Sequence, residues 1–243
     1  MPETVFITGA SRGIGRAVAF AFAEAGYQLV INCAHSKDQL LSLRQELETR
    51  FHTDVLASIG DVSSYPYMQQ LFSEAEQRFG GADILINNAG ISHIGLLGDM
   101  TIEDWNHIIH TNLTSVFSAC KLAIPYMVHQ KAGKIINISS VWGITGASCE
   151  VAYSAAKGGV NAFTRALAKE LAPSNIQVNA IACGVIDTQM NACFSEEEKV
   201  ALAAEIPAGR FGQPDEVAAL ALQLASGNDY LTGQIITLDG GWL

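Results

Sequence analysis

Seven short apolar runs, at 4–8, 28–33, 54–59, 83–86, 133–138, 176–181 and 234–238, alternate with segments of helical period at about 14–25, 37–51, 64–79, 101–130, 152–172 and 214–225. A strand that is apolar on both faces must be covered on both faces. The alternation therefore predicts an α/β doubly wound domain, a seven-stranded parallel sheet with helices on either side. No repeat, low-complexity tract or Pro/Ser-rich linker divides the chain, and 243 residues suit one sizeable core. Residues 1–243 are accordingly read as one domain. In such a sheet, ligands bind beyond the C-terminal ends of the strands.

Composition narrows the function classes. Hydrophobic residues make up 49% and charged residues 16%, which suits a large buried interior. The net charge of −10 disfavours a nucleic-acid partner, which needs a basic face. Five cysteines, at 33, 120, 149, 183 and 193, form no C-x-x-C, and six histidines form no H-x-x-x-H pair. Neither a disulfide framework nor a metal site is expected. No apolar run is long enough to span a bilayer, and the N-terminus runs straight into a strand-like segment without a signal pattern. A cytoplasmic protein without membrane contact is expected.

The first strand leads into Thr8-Gly9-Ala10-Ser11-Arg12-Gly13-Ile14-Gly15 and then a helix. Glycines at 9, 13 and 15 let backbone approach a diphosphate, and the helix N-terminus offers N–H groups and a positive dipole end. The second strand ends Ile31-Asn32-Cys33-Ala34-His35-Ser36 without the Asp or Glu that usually grips a ribose 2′-hydroxyl. Arg12 and Ser36, with Lys37 as a further cation, are placed to meet a 2′-phosphate instead. NADP(H) is therefore the expected cofactor; otherwise Arg12 is a surface charge. Gly60-Asp61-Val62 follows the third strand, where Asp61 either accepts from an adenine amino group or caps the next helix. Asn87-Asn88-Ala89-Gly90 follows the fourth, where small residues let backbone lie against a ribose.

These segments, with Tyr153-Ser154-Ala155-Ala156-Lys157 and Gly184-Val185-Ile186-Asp187-Thr188, resemble the short-chain dehydrogenases/reductases in order and spacing over essentially the whole chain. The nearest likeness is to bacterial 3-oxoacyl-[acyl-carrier-protein] reductases. The resemblance implies a Rossmann fold and a catalytic tetrad of Asn112, Ser140, Tyr153 and Lys157. It selects Ser140 over Ser139 by its spacing to the tyrosine. It also implies cofactor contacts from Gly9, Ser11, Arg12, Gly13, Ile14, Gly15, Ser36, Asp61, Val62, Asn88, Ala89, Gly90, Tyr153, Lys157, Ile186 and Thr188. The family usually has Pro where this chain has Cys183. Relatives that became nucleotide-sensing scaffolds typically lose the tyrosine or lysine, and both are present here.

Tyr153 and Lys157 are four residues apart at a helix start and share one face. A free phenol has a pKa of about 10, and lowering it by about 3 units needs roughly 4 kcal/mol of differential stabilisation. The Lys157 charge and a nicotinamide cation are expected to share that work. Tyr153 would then give a proton to a carbonyl oxygen that Ser140 holds, while Asn112 keeps a water behind Lys157.

Substrate walls are expected from 92–97, 141–151 and a mobile lid at about 189–208. Ser140, Trp142 and Tyr153 are the expected substrate contacts, although Trp142 equally suits a structural role. His93 reads as a pocket or surface residue and Cys149 as packing. Glu150 is either solvated or recognises a cationic substrate.

The likeness implies a ketone or 3-oxoacyl thioester substrate, the latter carried on acyl carrier protein and docked on basic residues near the active-site mouth. Lys131 matches one such position, but Pro173-Ser174-Asn175 supplies no cation at the other. The segment 142–150 also resembles reductases that act on a ketone attached to a lysine of elongation factor P. A homotetramer is expected, from surplus apolar residues at Phe117, Leu122, Ile124, Phe163 and Leu167, from the final edge strand, and from the terminal Trp242 and Leu243.

Overall fold

The computed structural model describes residues 2–192 and 194–243; Met1 and Cys193, the latter inside the expected lid, lie outside the described residues. Seven parallel strands form one sheet in the order β3-β2-β1-β4-β5-β6-β7. They are β1 Thr4–Ile7, β2 Gln28–Cys33, β3 Val55–Ile59, β4 Ile84–Asn87, β5 Gly133–Ser140, β6 Ile176–Cys183 and β7 Ile235–Leu238. The order runs outward one way from β1 to β3, then resumes at β4 on the other side of β1. That switch leaves a crevice at the C-terminal ends of β1 and β4, the place where doubly wound sheets take ligands.

Two apolar clusters cover the two faces. One packs α1 (Gly13–Glu24), α2 (Lys37–Phe51) and α9 (Pro214–Ser226) on residues such as Val5, Leu29, Ile31, Ile86 and Ile181. The other packs α3 (Tyr65–Phe79), α5 (Ser115–Gln130) and α7 (Val151–Leu171) on Phe6, Val30, Leu85, Ile135 and Val178. The side chains alternate between the two clusters along each strand, as the period of two requires. No described helix is long and apolar enough to cross a membrane.

The stretch 101–130, expected as one helix, is divided. α4 (Ile102–Ile109) opens on a Thr101/Asp104 capping box, and a π turn at His110–Thr114 joins it to α5. A π turn inserts one residue and re-aims the side chains around it. Here it points Asn112 inward, where its amide is fully buried and bonded on both sides to the Ile91 backbone. Two shorter helices complete the set: α6 (Trp142–Thr145) directly after β5, and α8 (Glu196–Glu205) within the expected lid.

Candidate active site

The Gly-rich turn lies at the end of β1. Gly9 and Gly13 hold left-handed backbone at φ +67° and +54°. A Cβ on Gly15 would fall 2.3 Å from the Gly9 carbonyl oxygen, so no side chain fits there. The Thr8 hydroxyl accepts from the backbone N–H groups of Asn88 and Ala89, each at 3.0 Å. Asn88 Nδ2 donates back to the Thr8 and Gly9 carbonyls, at 3.0 and 2.9 Å. Its amide nitrogen is thereby committed to bracing the turn. Arg12 occupies the N-cap of α1 and makes no side-chain cap. The first N–H groups of that helix thus have no side-chain acceptor from the cap, and the cradle fits a dinucleotide diphosphate.

Beside it, the Cys33 thiol, pushed up by burial, is hydrogen-bonded by the Ser36 backbone and the Ser11 hydroxyl, which brings those serines to one corner. A cavity of about 540 Å³ there is lined by Ser11, Arg12, Arg16, Asp38, Ser42 and Gln189, among others. Lys37 does not line it. Sequence reasoning stopped at the strand end and missed Arg16, Asp38 and Gln189. Asp38 brings a carboxylate to the cavity from the first turn of α2, although none stands at 32–36. Gln189 arrives from 177 residues away, and no local periodicity encodes that approach. Asp61 Oδ1 accepts from Ser63 N–H at 2.8 Å, while Ser64 caps α3. Asp61 therefore closes the turn before the helix instead of capping it, and Val62 is buried behind it.

At the end of β5 the two serines divide their work. Ser139 Oγ donates to Asn161 Oδ1 at 2.6 Å and is buried. Ser140 Oγ accepts from Trp142 N–H at 3.1 Å and shares a hydrogen bond with the Tyr153 hydroxyl. Lys157, one turn further along α7, donates from Nζ to the Ile138 carbonyl at 2.8 Å and lies 5.7 Å from the Tyr153 ring centroid. A Cβ on Gly90 would meet both Asn112 Oδ1 at 3.1 Å and Lys157 Nζ at 3.6 Å, so these three groups converge. Asn112 Oδ1 accepts from Ile91 N–H at 2.8 Å and its Nδ2 donates to the Ile91 carbonyl at 2.7 Å. A water behind Lys157 would have to use the second lone pair of Oδ1 or backbone carbonyls of the π turn. Ile186 is buried and bridges Gly212, and Thr188 packs on Gly13.

Burial governs the titration of this cluster. It raises Tyr153 well above the usual phenol value, with the Cys183 thiol and Glu150 adding and the Ser140 hydrogen bond opposing. It lowers Lys157 to about 8. Burial is the largest influence on each, and desolvation favours the neutral form of both groups. Cys183, pushed up to about 12 by burial, sits close enough to interact with both.

On the substrate side, the Trp142 and Trp242 rings meet edge to face, with centroids 5.1 Å apart. The chain terminus therefore folds back onto its own site, and Trp242 is half-buried without a partner subunit. Glu150 is raised by burial and hydrogen-bonded by the Trp142 side chain. The Cys149 carbonyl accepts from Gly95 N–H at 2.8 Å, tying the 92–97 loop to the 146–150 loop. Exposed Ile94, Leu96, Leu97, Ile144, Val151 and Met190 lie on the segments expected to form its walls and lid. In α8 no described residue is buried, and its cap bonds are internal.

Lys131 is corrected by the fold. It precedes β5 at the end remote from Ser140, where its carbonyl accepts from Asn175. An eight-residue strand separates the two, roughly 25 Å at about 3.3 Å per residue. Lys131 does not border the active-site mouth of its own chain.

Comparison with known proteins agrees with this geometry. Residues 3–199 match the family model described as short chain dehydrogenase. The 3-oxoacyl-[acyl-carrier-protein] reductase FabG of Thermotoga maritima is 41% identical over 98% of this chain and 97% of its own length. The uncharacterized oxidoreductase YmfI of Bacillus subtilis is 38% identical over 100% of this chain and 99% of its own. A crystal structure of a putative gluconate dehydrogenase from Agrobacterium tumefaciens superposes with a TM-score of 0.93 at 37% identity, covering 99% of this chain and 95% of that one. The chain belongs to the short-chain dehydrogenase family, an oxidoreductase family that works with a nicotinamide cofactor.

Proposed function

We propose that the protein is an NADP(H)-dependent carbonyl reductase in which Tyr153 is the proton donor. The observation that carries this reading is the convergence of Ser140, Tyr153 and Lys157 where β5 ends and α7 begins. A bound nicotinamide supplies the hydride. Ser140 holds the ketone oxygen: its Oγ accepts from the Trp142 N–H and keeps its O–H as a donor for that oxygen. Tyr153, kept protonated at neutral pH by burial, gives its proton to that oxygen. Lys157 is held by the Ile138 carbonyl with N–H donors to spare for ribose hydroxyls. Asn112 fixes the 88–91 backbone beside it. Arg12, with Arg16 and the Ser11/Ser36 corner, is the 2′-phosphate site that favours NADPH over NADH.

For the ketone, 3-oxoacyl thioesters are the first reading, supported by the FabG relatives and by the exposed apolar side chains at the mouth. Reduction of a ketone on a lysine of elongation factor P is favoured by one observation. Glu150 is a half-buried carboxylate beside Trp142 and Tyr153, with no cation paired to it among the described residues, and it suits an amine-bearing substrate. A homotetramer in which each chain, 1–243, is a single catalytic domain with a lid at about 189–208 completes the proposal. The test is Tyr153→Phe: reduction of either ketone should fall by about 10²–10⁴-fold with NADPH binding kept within a few-fold. Turnover within tenfold of wild type would refute the role of Tyr153.

A further inference from the structure

Among the residues that line the cavity beside the Gly-rich turn, Gln189 alone comes from outside the β1–α1 turn, α1 and α2. Gln189 is the first residue of the single 3₁₀ turn Gln189–Asn191 that opens the lid segment, and it lines the same cavity as Arg12 and Arg16. Its Oε1 accepts from Arg12 Nη1 at 3.0 Å. The residue before it, Thr188, packs directly on Gly13, 3.3 Å from where a Cβ would stand. Behind it, Asn191 Nδ2 donates to the Ile186 carbonyl at 2.7 Å, and Ile186 is bridged to Gly212. The lid is thus anchored at its base and touches the cofactor cradle through Thr188 and Gln189. Its other end is anchored where Ile206 is buried and Ala208 N–H donates to the Gly240 carbonyl at 3.1 Å, two residues before Trp242. Between the anchors α8 has no described buried residue.

We infer that Gln189 is a specificity-determining latch, through which a 2′-phosphate on the cofactor orders the lid over the ketone site. The inference rests on the reading of Arg12 as the phosphate-binding residue. An arginine carries five N–H donors in a fixed fork, and Gln189 accepts from one nitrogen. That contact holds the guanidinium in the cavity and leaves the remaining donors for a phosphate. The Gln189 amide nitrogen, on the other branch of the same side chain, is then placed to donate to the phosphate as well. Phosphate, Arg12 and Gln189 form one closed set, and the first turn of the lid is fixed by it. A cofactor without the 2′-phosphate leaves only the single Arg12–Gln189 bond, which is exposed to solvent and weak. The lid in turn ends beside the tail that carries Trp242 against Trp142. The identity of the cofactor therefore reaches the ketone pocket through the lid.

The experiment combines cofactor affinity with protection of the lid. Trypsin cleavage after Lys199, in the middle of α8, is followed at saturating NADPH or NADH, and both dissociation constants are measured by fluorescence. In the wild type NADPH should shield the Lys199 bond and NADH should shield it much less. Gln189→Ala should weaken NADPH by about tenfold, leave NADH within about twofold, and abolish the NADPH-specific shielding. Gln189→Glu should keep Arg12 in place but repel the phosphate, and so weaken NADPH further. If Arg12→Ala destroys NADPH preference while Gln189→Ala changes neither affinity nor shielding, the latch is refuted and the cofactor reading stands. If the wild type binds both cofactors equally, the cofactor reading falls and the latch with it.

Discussion

At the scale of single residues, the site places its two titrating groups where water cannot support their charges. Lys157 is 5% exposed and is lowered from 10.5 to about 8 by burial. A folded value below the unfolded one means that the ammonium costs stability. That cost is fully present below about pH 8 and is relieved as pH rises toward 10.5, because the folded chain releases its proton first. Lys157→Met, similar in length and uncharged, is therefore expected to be inactive and yet to melt a few degrees higher at pH 7. Its advantage over wild type should shrink between pH 7.5 and 9.5. Calorimetry at three pH values checks both parts, and a variant that melts lower at every pH would show that the bond to the Ile138 carbonyl outweighs the desolvation cost.

At the scale of elements, the proposed active site depends on how α6 is pressed against α7. Asn161, buried on α7, accepts from Ser139 and donates to the Gly143 carbonyl at 3.0 Å. A Cβ on Gly143 would stand 2.6 Å from the Lys157 carbonyl carbon and 2.8 Å from its oxygen. Those are backbone atoms of the helix that carries the tyrosine, so they cannot swing aside. Gly143→Ala should lift Trp142 and Ser140 away from Tyr153 and lower kcat by about tenfold or more, a misplacement effect. NADPH affinity should stay within about twofold, since the cradle on β1 is untouched. Equal loss in both would mean that the fold as a whole had been disturbed.

Legibility in the sequence follows the same division. The seven strands and the Gly-rich turn were readable because their signals are local: uniform apolar runs, and glycines where backbone must come close. The break at His110–Thr114 was not readable, since the apolar period runs through it and the backbone that its Asn112 bonds, at Ile91, lies 21 residues upstream. Asn161, Gln189 and the return of Trp242 were equally invisible, because each is defined by a partner brought close only by the fold. The motif order placed Ser140 beside Tyr153, but the desolvation that raises Tyr153 depends on burial, which spacing does not encode.

At the scale of the whole molecule, the question is which apolar surface remains after the chain has folded. Much of the surplus noted in the sequence is absorbed: Leu167 is buried, and Leu122, Ile124 and Phe163 pack against the cluster beneath α5 and α7. Trp242 turns back onto Trp142 and no longer argues for a partner. What stays outside is Phe117, 49% exposed on α5, together with Val128 on the same helix. At the other end, Leu243 and the fully exposed Tyr230 flank β7, whose outer edge pairs with no strand among the described residues. Two separate patches would allow two kinds of two-fold contact, and the two together would build the proposed tetramer. Assembly also bears on the substrate: Lys131 lies at the far end of the sheet from Ser140, so a carrier protein held there could feed only a neighbour's site. Light scattering at micromolar concentration should give a mass four times the 25.9 kDa of one chain. Phe117→Glu puts a carboxylate into the α5 patch and should halve that mass without changing the circular dichroism spectrum. A wild-type mass of one chain would refute the assembly outright, and a tetramer that survives Phe117→Glu would remove the α5 face from it.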